Sequence, residues 1–346
     1  MSRATVVMAS IIFERGTPVI CNHIRRQRAG VAMATLALAA LLGLSACSST
    51  AAADKKTSDP GGGTHSAPNT PPPADTSAAT STHAPPPAAN TLTVDALDAG
   101  MKMSFRISGT PHAGLVAITL ANKGKYAHEI GLARVKDGVT LAQVKAALMS
   151  TAPDAEAKAK KLQVDPDHEI SAPAIIGPGL TEQATVPLVA GHYVLTCFLP
   201  GPDGMPHAAM GMIDEFTVAA GNSSADAPAT AGVIELTDTG ITVPANFGTG
   251  GTFQVKNTGA APHDFSLAKL AGKPLLDYFQ CVGTSFSKGT PIDKCPGTLE
   301  GGVSFLAPGA TAYVTITLPA GKYSYVSTQG DGKDFQAGLH GEFAVA

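Results

Sequence analysis

Residues 197–212 gather a thiol, an imidazole and two thioethers on one stretch: Cys197, His207, Met210 and Met212. A thiolate sulfur, imidazole nitrogen and a weak axial thioether are the donors of a blue-copper centre, provided a second imidazole arrives from elsewhere in the chain. His128 is the candidate for that imidazole. Met212 is the candidate axial donor, with Met210 as its alternative, and one copper ion is the expected cofactor. Taken singly, a free cysteine is usually a small buried hydrophobe and a methionine core filling. Their occurrence together, in this order, is what points to a metal.

Such donors need rigid elements to hold them. Gly191–Thr196 reads as a strand leading into the loop, within a β-prone run that reaches Phe198. Pro200, Pro202 and Pro206 fix φ at three places and stiffen the loop that presents His207. Val116–Leu120, Ala184–Leu188 and Phe216–Val218 are further short β-prone runs bounded by Gly and Pro. Phe253–Lys256, Ala312–Leu318 and Tyr323–Val326 follow later; Val314, Ile316 and Leu318 alternate with Thr315 and Thr317, a period of two. One helical insertion is expected after Thr140, a capping residue, because Leu141, Val144 and Leu148 share a helical face. Asp154–Leu162 would add a short polar helix.

Two copies of one module are visible. Asn122 precedes His128 as Asn257 precedes His263, each Asn opening an Asn-x-Gly turn. Pro178-Gly179-Leu180-Thr181 recurs as Pro308-Gly309-Ala310-Thr311, and Ala190-Gly191-His192-Tyr193 as Ala320-Gly321-Lys322-Tyr323. Glu215-Phe216-Thr217-Val218 returns as Glu342-Phe343-Ala344-Val345. Four landmarks in matched order indicate a duplication: residues 91–219 and 232–346, joined by a polar linker over 220–231. The fold class expected is all-β, two β-sandwiches in tandem with the helical insertion in the first.

Of 346 residues only 15% are charged; Trp is absent, and Gly 37 and Pro 26 fit a turn-rich chain. A net charge of −3 with no basic stripe argues against nucleic acid as a partner. Arg25-Arg26-Gln27-Arg28 followed by the apolar Ala29–Leu44 reads as an export signal over residues 1–46, although residues 1 to about 20 fit no signal design and the start codon is expected further on. Leu44-Ser45-Ala46-Cys47 resembles a bacterial lipobox, which implies lipidation of Cys47 and an anchor on the outer face of the cell membrane. Residues 47–90, rich in Ser, Thr, Ala and Pro, read as a disordered tether. In the oxidising context of an exported protein Cys281 and Cys295 are expected to pair, which leaves Cys197 single.

The order of upstream His after an Asn-x-Gly turn, a late strand ending in Cys, then His and Met, then a final strand, resembles the cupredoxins. The resemblance covers both modules and implies Greek-key β-sandwiches with copper held by His128, Cys197, His207 and Met212. The long Cys-to-His spacing and the end of the loop, with Gly211 before Met212, are similar to copper nitrite reductases; Glu129 stands where plastocyanin-like proteins tend to have Asn. The second copy lacks the set: Ser327 stands at the Cys position, His263 survives, Asp334 or Gln336 falls near the His207 position, and Leu339 matches Met212. His340 does not restore the order. The resemblance implies electron transfer or copper handling, with a redox or copper-receiving protein as partner. A copper-free interaction module and a copper chaperone to a membrane oxidase are the rival readings. Thr196, rather than His, precedes Cys197, which leads to the expectation that the chain is not an enzyme.

Overall fold

The computed structural model describes residues 90–166, 169–222 and 226–346. The signal, the tether and Cys47 lie outside them.

The first module begins with β1 (Thr91–Ala99), β2 (Lys102–Ser108) and β3 (His112–Asn122), continues through β4 (Gly131–Val135), and closes with β5 (Thr181–Leu188), β6 (Gly191–Thr196) and β7 (Ile213–Asn222). The second comprises β8 (Gly232–Thr237), β9 (Gly240–Thr242), β10 (Gly251–Asn257), β11 (His263–Leu270), β12 (Gly297–Leu306), β13 (Thr311–Ile316), β14 (Gly321–Val326) and β15 (His340–Val345). Pairing repeats between them. β1 runs parallel to β3 as β8 does to β10, and β3 is antiparallel to β5 as β10 is to β13. On the other layer β6 pairs with β4 and β7, and β14 with β11 and β15. Inward-facing positions alternate along these strands, as in β5 and β13, so each sandwich closes over an apolar interior.

Two repeated tyrosines show why the repeat motifs matter. The Tyr193 hydroxyl donates to Val189 O at 2.8 Å and the Tyr323 hydroxyl to Pro319 O at 2.9 Å, each pinning the corner before its strand. The modules do not stand apart: β5 and β13 pair antiparallel, with Ala184 opposite Val314, so one sheet continues through both.

The helical insertion is α1 (Leu141–Leu148), which starts in a capping box between Thr140 and Gln143, and α2 (Ala155–Leu162). Val144, Leu148 and Ala159 pack on Val194 and Ile213 of the β6–β7 layer. One expectation needs correction. The β6 strand stops at Thr196, so Cys197 opens the loop rather than ending the strand. Cys281 lies on α3 (Leu275–Lys288), a helix ended by Gly289 with φ 63°. Cys281 and Cys295 are disulfide-bonded, with Cα atoms 5.6 Å apart.

Candidate metal centre

His128 comes from the segment just before β4, and Cys197 and His207 come from the loop after β6. Cys197 Sγ lies 3.4 Å from His207 Nδ1 and 3.9 Å from His128 Nδ1, and the two Nδ1 atoms are 3.2 Å apart. Among the described residues this is the one cluster of three His, Cys, Asp or Glu residues whose donor atoms could hold a metal ion. All three residues are buried.

The loop is locked by its own backbone. Cys197 N donates to Met212 O, Ala208 N to Cys197 O at 2.7 Å, His207 N to Leu199 O at 2.9 Å, and Met212 N to His207 O at 2.9 Å. Met212 is fully buried in the core that contains Cys197, whereas Met210 is only partly buried and its sulfur packs on Gly201. This placement brings Met212 and Met210 into the same loop as the cluster and favours Met212 as the inner of the two.

Asp98, which the sequence reading missed, orients the upstream imidazole. His128 Nε2 donates to Asp98 Oδ1 at 3.0 Å, so Nδ1 carries the lone pair that faces the cluster. Burial alone would raise the Asp98 carboxyl, but hydrogen bonds from His128, Lys125 N and Tyr126 N hold it below its ordinary value. The Asn-x-Gly turn now has a physical reason. Asn122 Nδ2 donates to Tyr126 O and Ile176 O while its Oδ1 accepts from Gly124 N, and a Cβ on Gly124 would run into the Asp98 carboxylate.

Glu129 supplies a further tie: its Oε1 accepts from Phe198 N at 3.0 Å and so fastens the His128 segment to the residue after Cys197. The second module braces both sides. Asp293, two residues before the disulfide's Cys295, accepts from Ala127 N at 2.8 Å, next to His128. At the tip of the metal loop Gly204 meets Gly289 at the end of α3 so closely that a Cβ on Gly204 would lie 3.0 Å from Gly289 O.

The donor set fits a soft or borderline metal ion. Desolvation, then the neighbouring His128, pushes His207 down to about 3, so its imidazole is neutral. Burial first, then Glu129, raises the Cys197 thiol well above its ordinary value, so metal binding must displace its proton. Two imidazole nitrogens and a sulfur crowd one buried point, and His207 Nε2 is buried without a hydrogen-bond partner. A cation at that point would resolve the opposition of lone pairs. Thiolate, two imidazoles and a thioether suit copper.

His263 occupies the corresponding place in the second module, but among the described residues no metal set surrounds it. Its Nδ1 bonds Asp334 Oδ2 at 2.6 Å and its Nε2 bonds Asp238 Oδ1 at 3.1 Å. Ser327 Oγ donates to the same Asp334 oxygen. Of the two residues expected near the His207 position, Asp334 is therefore the one that enters; Leu339 is buried at the Met212 equivalent and His340 lies on β15.

The fold is cupredoxin-like. No family model and no curated protein matches the sequence. Among solved structures, the chain is similar to the reduced auracyanin of Roseiflexus castenholzii, at 25% identity over 38% of this chain and 98% of that one, with a TM-score of 0.25. It is similar to a multicopper oxidase at 14% identity over 74% of this chain and 88% of that one, TM-score 0.21. A third likeness is to the copper nitrite reductase of Thermus scotoductus, at 12% identity over 74% of this chain and 61% of that one, TM-score 0.20. The last two are enzymes by name, and they span both modules. The expectation that this chain is not an enzyme is therefore corrected: Thr196 before Cys197 does not exclude one. Likenesses this distant identify no particular activity.

Proposed function

We propose that this chain is an envelope lipoprotein, anchored through Cys47 to the outer face of a bacterial membrane, that binds one copper ion in its first module for electron transfer or copper handling. The observation that supports the reading most is the convergence of His128 Nδ1, Cys197 Sγ and His207 Nδ1 at one buried point. His128, Cys197, His207 and Met212 would hold the ion. Bound copper would supply one-electron exchange. Asp98 keeps His128 in the tautomer whose Nδ1 can ligate, the closed loop fixes His207, and burial excludes water. Rigid donors of this kind need little rearrangement as charge changes. A redox protein or a copper acceptor is the partner this chemistry calls for.

Adding Cu(II) to the purified protein tests the centre. One equivalent should bind with an intense visible band from thiolate-to-copper charge transfer, and Cys197→Ser should abolish the band. Metal analysis showing no bound copper would leave the copper-free interaction module as the surviving reading. The anchor has its own test: Cys47→Ala should move the protein from the membrane fraction to the soluble one, and full retention on membranes would contradict lipidation.

A further inference from the structure

A cavity of about 500 Å³ lies beneath α1, between the β4–β6 face of the first module and α3 of the second. Its volume is in the range of small-molecule sites. Most of its wall is apolar: Leu148, Phe198, Phe279, Val282, Phe286 and Phe305 all contribute. The charged lining is mainly acidic: beside Glu169 and Asp264 stands Glu129, which already accepts from Phe198 N, and the cation Lys160 is paired with Glu156 at 3.2 Å. Glu169 comes from the segment that follows α2, and Asp264 and Gln329 come from the second module. Gln329 is only 8% exposed, and its Oε1 has no hydrogen-bond partner. Asp264 is 2% exposed and already accepts from Ser266 and Thr328, so it contributes negative charge more than a free acceptor.

We propose that this cavity binds a small amphipathic amine, its apolar body among the phenylalanines and its ammonium group toward Glu169, Asp264 and the unpartnered Gln329 oxygen. Neither an anion nor a neutral molecule answers both features of the site. An anion meets two carboxylates, and a neutral alcohol leaves their charge uncompensated. The charges are already uncomfortable together. Glu169 is an exposed residue; partial desolvation of its carboxyl, then repulsion from Asp264, pushes it up to about 7, and burial raises Asp264 to about 6. A cation would relieve both. Thr196 and Phe198, the residues on either side of Cys197, also line the cavity. An occupant would therefore lie against the backbone that carries Cys197. This goes beyond the copper reading and does not depend on it, because it concerns a separate set of side chains.

Calorimetry on the metal-free, full-length protein tests the site independently of copper. Three probes share a body and differ in the head: 2-phenylethylamine, 2-phenylethanol and phenylacetate. The amine should bind about tenfold more tightly than the alcohol, the usual scale of one charge-assisted hydrogen bond, and phenylacetate should bind least. Glu169→Gln should remove that preference for the amine while leaving the alcohol unchanged. Leu148→Trp, which fills the cavity, should abolish binding of both. Failure of the amine to bind, equal binding of the three probes, or undiminished amine binding in folded Leu148→Trp would each overturn the proposal.

Discussion

His128 and His263 sit at equivalent points of equivalent sandwiches, and each is held through Nε2 by an aspartate, Asp98 or Asp238. Behind each lies an Asn-x-Gly turn with the same three hydrogen bonds: Asn257 Nδ2 donates to Ala261 O and Leu306 O, and its Oδ1 accepts from Gly259 N. The two differ at Nδ1. In the first module that nitrogen faces a thiol and a second imidazole; in the second it meets a carboxylate at 2.6 Å, which a serine also contacts. A scaffold built to aim an imidazole can thus be kept while its partner is exchanged. Asp334 satisfies the His263 Nδ1 by hydrogen bonding and takes a further bond from Ser327, where Cys197 and His207 leave a point that a cation would satisfy. The second copy has meanwhile become a brace, through Asp293 and the α3 terminus, for the loops of the first.

Rebuilding the donors is the strongest way to break the comparison. Ser327→Cys, Asp334→His and Leu339→Met together should give the second module a copper site, and the bound metal should rise from one equivalent to two by elemental analysis. If no second equivalent binds, the difference between the modules lies in their backbones rather than in three side chains.

Single-residue changes should separate the two aspartate roles. Asp334→Ala leaves His263 Nδ1 and Ser327 Oγ without their shared partner in a buried site, and should destabilise the protein by about 3 kcal/mol in denaturant titrations. Asp98→Asn keeps a partner for His128 but weakens its hold on the tautomer, so copper affinity should fall by about 10–100-fold with little change in stability. Asp293→Ala acts from the second module through Ala127 N, and a smaller loss, about tenfold or less in copper affinity, is expected in competition titrations.

Much of this centre was legible because its donors follow one another along one loop, and because the repeat supplied a second example of the upstream turn. Asp98 was not legible. It stands in no motif, and its twin Asp238 falls at a different distance from the repeated Asn, so aligning the copies does not reveal it. The helix α3 was missed for a different reason. Gly283, Thr284, Ser285 and Ser287 are weak helix formers, and burial of Leu275, Tyr278 and Val282 against the second sandwich overrides their propensity. That one sheet joins the modules depends on β5 pairing with β13, an edge contact between distant segments that no local pattern encodes.

The smallest effect expected is also the one in which the modules should move in opposite directions with pH. In the metal-free protein His207 is held at about 3, well below its unfolded value near 6.5, by desolvation and then by His128. Its folded pKa is depressed, so protonation favours the unfolded chain, and stability is lost as pH falls from about 6.5 toward 3. For His263 desolvation also lowers the pKa, but Asp334 and Asp238 outweigh it, and the net shift is upward. A raised imidazole contributes stability that is complete below the unfolded value near 6.5 and is lost as pH rises through the folded one. Denaturant titrations on His207→Gln should therefore show a flatter acid limb, and those on His263→Gln a flatter limb above about pH 6.5. Flattening of the same limb by both variants would mean that the two histidines share one electrostatic environment, against the exchange of a metal-ready cluster for an internal ion pair.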